Sequence, residues 1–185
     1  TTVNGGSRAK FSGNGKYMYF TIRPFFEQTK EAKQKKLRGD KAPKDTLGIL
    51  NLKTKEIVKF PALKRVESPR EMGDFIAFNI EVDKQEAATD SVADKKKKKA
   101  QSKKEILTLV YDFKKGEVTD TLRHIDVMAF DKYGKQLFCI AVDSTKQLFV
   151  YNPATRSSKM ILEAHKKADM QRPVISDDGN RIAFY

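Results

Sequence analysis

A nucleophile, a base or a metal centre in this sequence would have to be built around two histidines, His124 and His165, one cysteine, Cys139, and serines in glycine-rich settings. A serine nucleophile on a strand-to-helix elbow requires Gly-x-Ser-x-Gly, so that the hydroxyl stands above the sheet. The nearest approach is Gly5-Gly6-Ser7-Arg8-Ala9, which has Ala in place of the last Gly and runs into a strand pattern, so Ser7 reads as part of a lead-in. His124 falls just before a strand and His165 among lysines, both in connections. Neither has the local spacing of a triad, and two histidines without close carboxylate partners make a poor metal site. Cys139 sits in the apolar run Leu137-Phe138-Cys139-Ile140-Ala141 and reads as a small buried side chain; being alone, it excludes an internal disulfide. Asp177-Asp178-Gly179-Asn180 resembles part of a calcium loop only superficially, since the twelfth position of such a loop falls beyond residue 185, and at the repeat's turn position a turn is the better reading. No glycine loop followed by Lys and Ser or Thr cradles a phosphate. The expectation is therefore no catalytic residue, no cofactor and no metal within these 185 residues.

The charge could still serve binding. There are 37 basic and 24 acidic residues, a net of +13 with a pI near 9.7. Residues 27–45 hold a net of +3 and residues 81–105 a net of +2, which leaves +8 spread over the rest. The densest run is five lysines at 95–99, continued by Lys103 and Lys104 and preceded by Glu81, Asp83, Glu86, Asp90 and Asp94. Such a run repels itself and is solvated. It has no interleaved aromatics to stack on bases and no apolar face to enter a bilayer. Neither a specific nucleic acid nor a membrane is expected as partner, and no apolar stretch approaches the roughly 18 residues of a spanning helix, so a soluble chain is expected.

The elements that would position any site emerge from an internal repeat. Near the C-terminus, residues 125–130 alternate, Asp131-Lys132-Tyr133-Gly134-Lys135 is a glycine turn, and residues 136–142 read as a strand buried on both faces. Residues 147–151 and 158–162 supply a third and a fourth strand, so that four strands joined by hairpins form one meander. Strand, glycine turn and buried strand recur at 11–20 and 175–184, and more divergently at 66–78. The third and fourth strands recur at 47–58 and 107–118, each with an Asn or Asp, Asn51 or Asp112, placed to bond its own backbone at the hairpin.

The turn glycines Gly15, Gly73, Gly134 and Gly179 are separated by 58, 61 and 45 residues. The last interval fits the roughly 40–45 residues of a four-stranded propeller blade. The other two fit once the charged stretches are treated as insertions between the second and third strands. The expected fold is all-β: a partial β-propeller of about three and a half four-stranded antiparallel blades. They would span 8–60 with an insertion at 27–45, 64–121 with an insertion at 81–105, 125–163, and a half blade at 171–185. Within the first insertion residues 29–37 are expected to be helical, and residues 88–101 of the second to be poorly ordered. Expected core positions are Tyr19, Phe20, Ile76, Phe78, Phe138, Ile140, Ile182 and Phe184.

The pattern Phe-Ser-x-x-Gly-Lys-x-x-x-Phe at 11–20, degenerate at 130–138 and 175–184, resembles the propeller repeats of the TolB and prolyl oligopeptidase groups. The order of insertions resembles the N-terminal propeller of large bacterial S9-type serine peptidases, particularly of Bacteroidetes. That resemblance implies a parent enzyme whose C-terminal α/β-hydrolase domain carries the Ser, Asp and His of catalysis and is the partner of this segment. The segment would be non-catalytic and would admit peptide substrate while excluding folded protein. It further implies a periplasmic or exported location. The dipeptidyl-peptidase branch holds the substrate amino group with adjacent glutamates, and this sequence has no Glu-Glu pair. The competing reading is a TolB- or WD40-like scaffold for protein partners. Open sheet edges at either end would permit self-association.

Overall fold

The computed structural model describes residues 2–71, 73–83, 104–168, 174–177 and 179–183. The chain is almost entirely β. Its elements are β1 (Gly6–Phe11), β2 (Tyr17–Ile22), α1 (Phe26–Gln34), a 3-10 turn (Gly39–Lys41), β3 (Asp45–Asn51), β4 (Ile57–Glu67), β5 (Phe75–Asp83), β6 (Lys104–Asp112) and β7 (Glu117–Arg123). There follow β8 (Ile125–Phe130), β9 (Leu137–Val142), β10 (Thr145–Asn152), β11 (Ser157–His165), β12 (Val174–Ile175) and β13 (Ile182–Ala183). Every strand pairs antiparallel with its chain neighbour inside three sheets, β1 to β7, β8 to β11, and β12 with β13. Hairpins alone give that order.

The seven-stranded sheet divides at β4. Ile57 to Phe60 pair only with β3, whereas Arg65 to Glu67 pair only with β5, and Leu63 touches both. One long strand thus closes a first four-stranded array, β1 to β4, and opens a second, β4 to β7. The break expected between residues 60 and 64 is instead a turn of the strand about Ala62, whose φ is +56°. The second and third arrays are separated in the same way at His124, with φ +59°. Each first strand also carries a bulge near its start: between Ser7 and Lys10, between Leu63 and Arg65, and between Ile125 and Val127. The extra residues fall at Arg8, Lys64 and Asp126, and a bulge redirects the side chain it carries.

Both insertions lie where expected, between β2 and β3 and between β5 and β6. The helix forms at Phe26–Gln34, three residues earlier than expected, because the Phe25 N–H is taken up by Gln28 Oε1 at 3.3 Å. The edges of the second insertion are strand: Glu81 pairs with Ile106 and Asp83 with Lys104. Its centre, with residues 88–101 and the lysines at 95–99, lies outside the described residues.

The repeated polar residues staple turns. Ser12 Oγ, Asp131 Oδ1 and Ser176 Oγ each accept the N–H five residues on, from Tyr17, Gln136 and Arg181, at 3.0–3.1 Å. Asn51, Asp112 and Asn152 do the same for the later hairpins, accepting the backbone N–H groups of Lys53, Lys114 and Ala154 at 3.0, 2.7 and 3.0 Å. The recurring sequence pattern is therefore a record of turn chemistry.

Cores lie between successive arrays. Tyr19, Leu47 and Ile49 of the first meet Ile76, Phe78, Tyr111 and Phe113 of the second. Ala77 and Val110, on the second array's other face, meet Met128, Leu137 and Cys139 of the third. Ile140 and Leu148 then face Ile182. Of the expected core residues, Tyr19, Phe20, Ile76, Phe78, Phe138 and Ile140 are buried and Ile182 is half-buried, while Phe184 lies outside the described residues.

Neighbouring turns touch as well. Gly13 N–H donates to Gly73 O at 3.0 Å, and Glu71 N–H to Lys132 O at 2.9 Å. Gly15, Gly134 and Gly179 have the positive φ expected of turn glycines, whereas Gly73 does not; it is small because Pro69 crowds it. A Cβ at Gly134 would meet Pro69 Cγ at 2.5 Å, and one at Gly15 would meet nothing within 4 Å. Gly15→Ala should therefore cost only the left-handed backbone term, about 1 kcal/mol. Gly134→Ala should cost about 2 kcal/mol, since the proline ring must also move. Equal shifts in urea midpoint for the two variants would refute the contact.

Candidate functional site

The residues with catalytic potential are scattered. Ser7 Oγ donates to Thr21 O at 3.3 Å across the β1–β2 pair. His124 occupies the left-handed junction between β7 and β8 and uses its backbone carbonyl to accept Val142 N–H at 2.8 Å. His165 ends β11, with Nδ1 accepting the Lys167 N–H at 3.2 Å. Cys139 is fully buried in β9, and burial pushes its thiol up to about 12. Asp177 faces two cations of other turns, Lys132 at 3.6 Å and Arg70 at 4.0 Å, while Asp178 lies outside the described residues. The structure brings none of these side chains together, and among the described residues no three His, Cys, Asp or Glu are placed to hold a metal.

What the fold does assemble is a charge cluster that draws on both insertions and on β4. Glu81, near the end of β5, has a side chain only 5% exposed. Its Oε2 meets Lys64 Nζ at 2.7 Å, and its Oε1 meets Lys104 Nζ at 2.9 Å and also Lys44 Nζ. The four residues come from three places: Lys44 from the first insertion, Lys64 from the bulge of β4, and Glu81 and Lys104 from the ends of paired strands. Lys44 first, then Lys64, pull the carboxyl down from its ordinary 4.5 to about 2; burial opposes them and Lys104 adds to the pull.

Lys64 also lines a cleft of about 210 Å³ between β1 and the second half of β4. Arg8, Lys10, Lys64 and Arg65 line it, together with one carboxylate, Asp45, and the neutral Ser68 and Tyr19. Lys10 Nζ donates to Ser68 Oγ at 3.2 Å. Arg65 Nη2 donates to Glu67 Oε2 at 3.0 Å and to Met128 O at 3.3 Å. A wider hollow of about 890 Å³ opens between the second and third arrays, where His124, Asp126 and Lys146 are exposed to it. Nothing in the local sequence marks Glu81, which reads there as one acid of a charged stretch.

Among the described residues no helix is long and apolar enough to cross a membrane. No protein-family model matches the chain, and no curated protein matches it in sequence. Solved structures do. The chain superposes on the dipeptidyl peptidase 4 of Porphyromonas gingivalis over 99% of its own length and 29% of that chain, with 12% identity and a TM-score of 0.56. It superposes on the tricorn protease over 96% of its length and 15% of that chain, with 12% identity and a TM-score of 0.53. An acylaminoacyl peptidase in complex with Z-Gly-Gly-Phe-chloromethyl ketone is matched over 99% of this chain and 28% of that one, with 12% identity and a TM-score of 0.51. The chain thus spans less than a third of each. Stacked antiparallel arrays with a core between each pair, joined by hairpins in chain order, form a β-propeller fold like that of these peptidases.

Proposed function

We propose that this chain is a non-catalytic propeller segment of a serine peptidase, which gates peptide access to an α/β-hydrolase domain carried elsewhere on the same parent chain. The observation that carries this reading is the superposition of 99% of the chain on part of a dipeptidyl peptidase at a TM-score of 0.56. The residues support a role by shape. Ser7, His124 and His165 are dispersed, while the turns are stapled and the arrays are locked by interdigitated cores, which suits a rigid wall rather than a reacting centre.

The parent protein tests the reading. Full-length protein is expected to cleave short chromogenic peptides and to spare a folded protein carrying the same sequence in a loop. Deleting the segment should expose the folded substrate to cleavage. The purified chain alone should turn over no peptide. A parent that has no hydrolase activity but captures a folded partner through this segment would favour the scaffold reading instead.

A further inference from the structure

We propose that the cleft between β1 and the second half of β4 is a carboxylate-binding site that holds an acidic side chain or the C-terminal carboxylate of a peptide. That the ligand is a peptide rests on the function proposed above; that it is an anion rests on the cleft. Four cations, Arg8, Lys10, Lys64 and Arg65, line it with one carboxylate, Asp45. The pairing is uneven. Lys64 pairs with Glu81 and Arg65 with Glu67, whereas Arg8 and Lys10 bind no carboxylate among the described residues.

The fold directs these charges. Arg8 lies in the bulge of β1 and Lys64 in that of β4, and both residues line the cleft. Arg8 also holds a left-handed backbone, with φ +54°. A guanidinium offers a planar fork that matches a carboxylate through two hydrogen bonds, and Lys10 and Ser68 supply further donors. Size narrows the choice: about 210 Å³ is below the roughly 300 Å³ at which small-molecule sites begin, enough for a side chain or a chain terminus. Tyr19 and Phe20 beside the cleft are 6% and 4% exposed, which leaves no free ring for a base to stack on.

The test is fluorescence anisotropy on the purified chain with three fluorescein-labelled hexapeptides: one with two central glutamates and an amidated end, its glutamine counterpart, and the glutamine peptide with a free carboxyl end. The glutamate peptide should bind at least tenfold tighter than the amidated glutamine peptide, and the free-acid peptide shows whether a terminus serves as well. Arg8→Gln with Lys10→Gln should weaken the glutamate peptide at least tenfold. Lys159→Gln with Lys166→Gln, the same charge change on exposed residues elsewhere, should change it less than twofold. Should the first double variant melt early, Lys10→Glu alone, at an exposed strand position, should give the same loss. Equal losses in the two double variants, or no glutamate-peptide binding at all, overturn the site. Equal binding of glutamate and amidated glutamine peptides also overturns it and leaves the peptide reading standing. Tighter binding of single-stranded DNA, abolished by the Arg8 and Lys10 changes, would replace the peptide by nucleic acid and overturn both.

Discussion

Phe78→Ala is expected to lower the unfolding free energy by about 3–5 kcal/mol, the range for deleting a buried phenyl ring and leaving its cavity. Phe78 lies in the middle of β5, and none of its surface reaches solvent. Its ring packs on Phe60 of β4 at 4.8 Å between centroids and belongs to the cluster that holds the first array to the second. Collapse around the gap is restricted because the neighbours are themselves pinned: Tyr19 stacks on Phe113 at 5.7 Å, and Tyr111 meets Phe113 at 5.4 Å. Backbone pairing on both sides of β5 prevents the strand from shifting to fill the space. Phe11, 63% exposed on β1, is the control, and truncating it should move the urea midpoint little. A Phe78→Ala loss below 1 kcal/mol would mean that the two arrays do not depend on this interface.

Much of this architecture was legible in the chain because it repeats. The serine or aspartate that staples the first turn in three of the copies, the asparagine or aspartate at each later hairpin and the aromatic or branched second strand are local signals, and each copy corroborates the others. What was not legible is that one continuous strand crosses the boundary between the first two arrays. Phe60 and Lys64 lie on one strand whose two halves pair with different partners, and pairing is a long-range fact that composition does not carry. The charge cluster escaped for a related reason. Lys44 and Glu81 are 37 residues apart and fall in stretches whose composition reads as solvated loop. Only when β5 and β6 extend beyond the expected hairpin ends do Glu81 and Lys104 become neighbours, with Lys64 brought over them by the bulge. Bulk charge does not say which charges meet; placement by strand register is what creates the cluster.

Glu81→Gln should therefore be the most damaging polar substitution, costing about 2–3 kcal/mol at neutral pH, with a signature in pH that distinguishes it from a packing defect. A fully buried ion pair broken at one partner costs about 3–5 kcal/mol. Here the cations are 15%, 39% and 30% exposed, so they can turn partly into water, and the expectation is correspondingly smaller. The sign follows from the lysines. They hold the folded carboxyl near 2, below its ordinary 4.5, so the folded state favours the charged form. The stabilisation is fully present above pH 4.5 and is lost as pH falls toward 2. Urea unfolding of wild type and Glu81→Gln should accordingly differ most above pH 4.5 and converge near pH 2, where the glutamate is itself becoming neutral. The exposed Glu31, paired with Lys35 along α1, provides the contrast: Glu31→Gln should leave the midpoint in place at every pH. A Glu81→Gln deficit that persists undiminished to pH 2 would show that the side chain matters for its shape, and that the three lysines do not need its charge.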